Sequence, residues 1–156
     1  MSRGAWITLD RDSLLVQVDA DQALAELERA LEHEGLSLDI ELASAATAGE
    51  WIASGAPGAR NAWLDPADHL LAGFSARIRA TGDTFAVHPA PRRAVGPDLA
   101  SLLSGMRDRW LALESVWLRV HRKDAPRPRT APFEGDDPAL DPSEAALFEA
   151  IDEALR

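Results

Sequence analysis

Apolar and polar positions follow two periods along this chain, and the switches between them mark its elements. Leu14-Leu15-Val16-Gln17-Val18 is a short apolar, β-branched run, which predicts a strand. Behind it, Ala23, Leu24, Leu27, Ala30 and Leu31 share one helical face, with Glu26, Glu28, Glu32 and Glu34 opposite. Asp19 and Gln22 stand at capping-box spacing, so this helix is expected to start near Ala20. Gly35 fits its C′ position. Leu36 to Ser54 reads as a strand and then a helix, with Thr47 as N-cap and Glu50 as its capping-box partner.

Residues from Gly55 through Asp65-Pro66 form an irregular loop by composition. Then Phe74, Ala76 and Ile78 alternate with Ser75, Arg77 and Arg79, the period of a half-exposed strand. Thr81-Gly82-Asp83 turns the chain, and Phe85 and Val87 pair back as a hairpin. Gly96-Pro97-Asp98 opens a short helix carrying Leu99, Leu102 and Leu103, with proline at N1. Leu113 to Val120 is a last strand with Val116, Leu118 and Val120 on one face. The tail ends in a helix capped by Asp141-Pro142-Ser143-Glu144, with Leu147, Phe148, Ile151 and Leu155 as its apolar stripe. Fourteen or so residues of helix are marginal alone, so that stripe is expected to dock. This order implies an α+β fold, a mostly antiparallel sheet with flanking helices.

Composition narrows the function classes. At 156 residues the chain suits one compact domain, residues 1–125, followed by a proline-rich linker at 126–140 and the helix at 141–156. Cysteine is absent, so there is no disulfide or thiolate metal site, and a reducing cytoplasm is the expected compartment. A formal charge of −10 opposes nucleic acid and anionic membrane surfaces. Neither a signal-like apolar run nor a stretch of ~18 apolar residues is present. The basic cluster Arg119, Arg122, Lys123, Arg127 and Arg129 reads as a solvated linker. His33, His69, His88 and His121 are too scattered for a metal site. Asp65 and Asp68 read as turn and capping residues, and no serine or histidine sits in a nucleophile pattern, so no catalytic residue is assigned.

Three segments carry a resemblance. Leu14 through Leu27 with Gly35-Leu36 is similar to the strand and helix that open the second FAD subdomain of the vanillyl-alcohol-oxidase/p-cresol-methylhydroxylase superfamily. Thr47-Ala48-Gly49-Glu50-Trp51-Ile52-Ala53-Ser54 resembles the superfamily's Thr-x-Gly-Gly-x-x-Ala-Thr segment, with Gly58 at its closing glycine. Ala90-Pro91-Arg92-Arg93-Ala94-Val95-Gly96-Pro97-Asp98-Leu99, followed by Gly105, resembles the Pro-Arg…Gly-Pro-Asp-Leu…Gly run, most like the alkyl-dihydroxyacetone-phosphate synthase and glycolate-oxidase branches. The match runs in order over about residues 6 to 122.

The resemblance implies a flavoprotein in which two subdomains grip FAD, here represented by the second, without the glycine-rich phosphate loop of the first or the substrate domain. It places Thr47, Gly49, Ala53, Gly58 and Gly105 at the cofactor. Glu50 replaces a family glycine and its carboxylate would repel a pyrophosphate; Asp108 and Leu111 replace two more. Trp51 and Trp110 either fill the cofactor's space or belong to the core or an interface. The expectation is a degenerate FAD-binding domain that does not hold FAD alone and serves as a non-catalytic accessory or interaction subunit. Its partner would be a second copy or a companion flavoprotein subunit, met through an apolar face left open. The alternative is the FAD-binding subunit of a two-chain oxidase or dehydrogenase whose phosphate-binding half lies on another chain.

Overall fold

The computed structural model describes residues 4–40, 46–56, 71–89, 99–103, 109–123 and 142–155. Its centre is a five-stranded antiparallel sheet. The strands are β1 (Thr8–Asp10), β2 (Leu15–Asp19), β4 (Leu71–Ile78), β5 (Thr84–Val87) and β6 (Leu111–Arg119), in the order β1-β2-β6-β4-β5. Two short strands, β3 (Leu36–Ser37) and β7 (His121–Arg122), pair beside it. The helices are α1 (Leu24–His33), α2 (Ala48–Ala53) and α3 (Pro142–Ala154), with a 3₁₀ turn at Leu99–Leu102. The α+β, mostly antiparallel architecture is as the hydrophobic pattern predicts.

The register explains which side chains are inside. Val18 faces Val116, which faces Phe74, which faces Val87; Val16 faces Leu118, which faces Leu71. Cross-strand partners share a face, so these rows stack into one apolar surface. Leu24, Leu27 and Leu31 of α1 and Ala48, Trp51 and Ile52 of α2 are buried in the same cluster. The opposite face holds Gln17, Ser75 and Ser115, joined as Gln17 Nε2 to Ser115 Oγ (3.4 Å) and Ser115 Oγ to Ser75 Oγ (2.9 Å). Trp117 and Leu15 share this face with them, so polar and apolar side chains are mixed on it. Among the described residues the exposed large apolar side chains are Ile7 (52%) and Leu147 (58%).

Two irregularities shape the sheet. Ser75 faces Ser115 while Ala76 faces Leu113, so Glu114 is an extra residue in β6; Ala72 is likewise extra in β4. A bulge leaves its extra residue outside the ladder and frees its backbone groups. The Glu114 carbonyl accepts instead from the amide of Ala20 (2.9 Å).

That bond bears on where α1 begins. The expected start near Ala20 is displaced to Leu24, with Ala23 as an N-cap that makes no side-chain bond. Ala20 is tied to β6, Ala23 bridges Thr47, and the Leu24 amide donates to the Ala46 carbonyl (3.1 Å). Long-range partners win over the local Asp19/Gln22 signature. Gly35 does end the helix in the left-handed region, at φ +72°. The basic cluster is also reassigned in part: Arg119 lies on β6, Arg122 on β7, and Lys123 pairs with Glu32 (2.8 Å). Arg127 and Arg129 lie outside the described residues, as do Gly96-Pro97-Asp98 and Asp141.

Candidate functional site

The segment with the cofactor resemblance is α2 and its approach. Thr47 Oγ1 accepts from the Glu50 amide (3.2 Å), and Glu50 Oε2 accepts from the Thr47 amide (3.0 Å), the capping box expected from their spacing. The other first-turn amides also have partners. Ala48 N–H donates to the Gln22 carbonyl (2.9 Å), Gly49 N–H to the Ala20 carbonyl (2.8 Å), and Trp51 N–H to the Thr47 carbonyl (3.0 Å). A helix N-terminus attracts anions because its first amides lack intrahelical acceptors. Here Glu114, Ala20 and Gly49 form a relay that spends these donors within the chain.

Gly49 has a packing reason for its lack of a side chain. A Cβ there would stand 3.0 Å from the Ala20 carbonyl oxygen and 3.1 Å from the Ala20 Cβ. Backbone meets backbone at this point, and only glycine lets them come so close. Ala53 and Trp51 are buried, Trp51 within the main core cluster. The structure thus brings Thr47, Gly49 and Ala53 together on one short helix; Gly58 and Gly105 lie outside the described residues, with Asp65, Asp68 and His69.

A second constellation gathers where β6 begins and α3 docks. Trp110, only 4% exposed, packs edge-on against Phe148, with centroids 5.3 Å apart at 85°. The Arg109 guanidinium lies 5.4 Å from the Trp110 ring centre and 5.2 Å from that of Phe148. Asp152 binds both neighbours: Oδ2 receives Arg109 Nη2 at 2.6 Å, and Oδ1 receives the Trp110 indole N–H. The hydrogen bond to Asp152 holds the Arg109 pKa above its usual value, against a smaller desolvation effect. A cavity of about 330 Å³ adjoins this corner, lined by Arg79, Ala80, Arg109, Trp110, Asp152 and Leu155.

Asp152 belongs neither to the apolar stripe of the tail nor to its N-terminal cap, the two features the sequence makes plain there. Its signal was its place four residues after Phe148, on the same helical face. The stripe itself is rotated from expectation: Phe148, Ile151 and Leu155 pack against the core, and Leu147 points to solvent.

A larger cavity, about 560 Å³, has Arg11, Arg122 and Lys123 at its wall. Arg11 is paired there with Glu34, and Lys123 with Glu32, which cancels most of its positive charge. Among the described residues no group of three or more His, Asp or Glu side chains gathers as a metal site, and no helix is long and apolar enough to cross a membrane.

No family profile matches the chain, and no curated protein sequence is similar to it. Solved structures are. Alkyldihydroxyacetonephosphate synthase in one crystal form superposes with a TM-score of 0.60 at 19% identity, over 75% of this chain and 21% of that one. A second crystal form of the synthase gives 0.60 at 18% identity with the same coverage. The chain spans about one fifth of the length of the synthase. Its fold is therefore like that of a part of this synthase, whose branch is one of the two that the sequence motifs resemble.

Proposed function

We propose that this chain is an FAD-binding-domain-like module that works as a non-catalytic accessory or interaction subunit. One observation carries the reading. Every first-turn amide of α2 already donates to an acceptor within the chain, and Glu50 sets a carboxylate at the same point. A pyrophosphate arriving there would meet no unspent donor and one negative charge. Micromolar affinity corresponds to about −8 kcal/mol, and each charge-assisted hydrogen bond forgone removes ~1.5–3 kcal/mol. The chain alone then has little means of holding FAD.

The rival reading, the FAD-binding subunit of a two-chain oxidase or dehydrogenase, rests on Thr47, Gly49, Ala53, Gly58 and Gly105. The first three have internal roles, as cap, close backbone contact and core. The partner under the first reading is a second copy or a companion flavoprotein subunit. The test is direct. Protein purified, incubated with excess FAD and passed through gel filtration is expected to emerge without flavin absorption. Flavin retained at one per chain would overturn the reading and favour the rival.

A further inference from the structure

The corner formed by Arg109 and Trp110 is built like a receptor with its ligand in place. Trp110 offers an apolar ring face and one indole N–H, and Arg109 offers a guanidinium lying over that ring. From α3, Phe148 supplies an aromatic ring and Asp152, one turn later, a carboxylate. The ring meets the ring, and the carboxylate takes both donors.

The two sides are not equally committed. With α3 in place Trp110 is buried, whereas Phe148, Ile151 and Leu155 are only half-buried and Leu147 stands open. The Arg109–Asp152 pair is itself solvent-accessible, at 43% and 33% of the two side chains, so it holds α3 with a strength that salt weakens.

We propose that α3 is a resident, displaceable occupant of an interaction site on the body. The external partner is an amphipathic helix of another protein that carries an aromatic residue and, four positions later, an acid. This deepens the accessory-subunit reading and rests on it, because it names the chemistry by which such a module would recognise its partner. Displacement of α3 would be the event that opens the site.

The test uses the full chain and a fluorescent peptide of residues 142–156 as the probe. Asp152→Ala in the chain loosens the resident helix and leaves the receptor side intact. It is expected to bind the peptide at least tenfold more tightly than the unaltered chain. Adding Arg109→Ala to Asp152→Ala should remove that gain, and the Asp152→Asn peptide should bind more weakly than the unaltered one. Circular dichroism and melting of each variant check that the sheet is intact. A second measurement, hydrogen exchange at 143–155, should show faster exchange in Phe148→Ala with the sheet amides unchanged. Equal peptide affinity in the unaltered and Asp152→Ala chains overturns the proposal. So does a gain that survives Arg109→Ala, or an α3 whose protection ignores Phe148→Ala. Flavin retained in the gel-filtration test would sink the functional reading while leaving this peptide result to stand or fall alone.

Discussion

Helix α2 has six residues and α3 has thirteen, yet the shorter one is the more deeply buried. Alone in water a helix of either length is marginal. The difference lies in what each gives up to the body. Ala48, Trp51, Ile52 and Ala53 of α2 are all buried, and its opening amides are bonded to Ala20, Gln22 and Thr47. Phe148, Ile151 and Leu155 of α3 keep part of their surface in water, and of its two anchors just before β6, the Trp110 indole bond and the Arg109 ion pair, the ion pair is solvent-accessible. Length does not set how tightly a helix is held. Side-chain burial and backbone bonds to the body do.

The largest test of that contrast sets Trp51→Ala beside Phe148→Ala. Removing the Trp51 ring leaves a core cavity and should cost about 3–5 kcal/mol, lowering Tm by roughly 10 °C at this chain length. Phe148→Ala should leave the main melting transition nearly unmoved. Equal losses in the two variants, followed by calorimetry, would break the comparison. Next in size is Gly49→Ala, which pushes a methyl into the Ala20 backbone. It should cost about 1–3 kcal/mol as overpacking, and a neutral result in urea titration would show that α2 can shift away. Thr47→Ala removes one half of the capping box and should cost about 1 kcal/mol. Glu50→Gln keeps an acceptor for the Thr47 amide and should cost less.

The smallest effect is acid sensitivity outside both helices' seats. Its bond to Lys123, reinforced by that residue's charge, holds the Glu32 carboxyl below its usual pKa. The Ser13 amide, as the largest cause, does the same for Asp10. A carboxyl depressed in the folded state stabilises it above the unfolded value, near ~4, and that stability is lost as pH falls through the folded value. Melting temperature should therefore decline at the acid end, and Glu32→Gln should make that decline shallower. An identical acid profile in the variant would show that the Lys123 pair does not contribute.

Local signals were legible and long-range ones were not. The Thr81-Gly82-Asp83 hairpin joins Phe74 to Val87 and Ala76 to Phe85, as alternation alone indicates. The Thr47/Glu50 cap depends on residues three apart and was readable for that reason. Asp19 and Gln22 have the same spacing but form a turn, because Ala20 and Ala23 are claimed by β6 and Thr47. β1 and β7 have three and two residues, too few to show a period, whereas the strand expected from Leu36 is present as β3. At the candidate site the residue types were visible, but not the Ala20 carbonyl that takes the Gly49 amide. Nor was Asp152, whose partners stand more than forty positions away, at 42 and 43 residues.

The strand order has a consequence in time as well as space. β6 sits between β2 and β4, and Gln17 meets Ser115 across 98 positions of chain. As the polypeptide emerges during synthesis, β1 and β2 can pair early, and so can the β4–β5 hairpin. Each such pair has one edge whose backbone groups await β6. The two halves can be joined only when residues 111–119 have left the ribosome, with the loop-closure cost that so distant a partner imposes. Until then, Val16, Val18, Leu71 and Phe74 belong to unfinished edges. The nascent chain is thus most exposed to aggregation, and most in need of a chaperone, over the interval between the hairpin and the central strand.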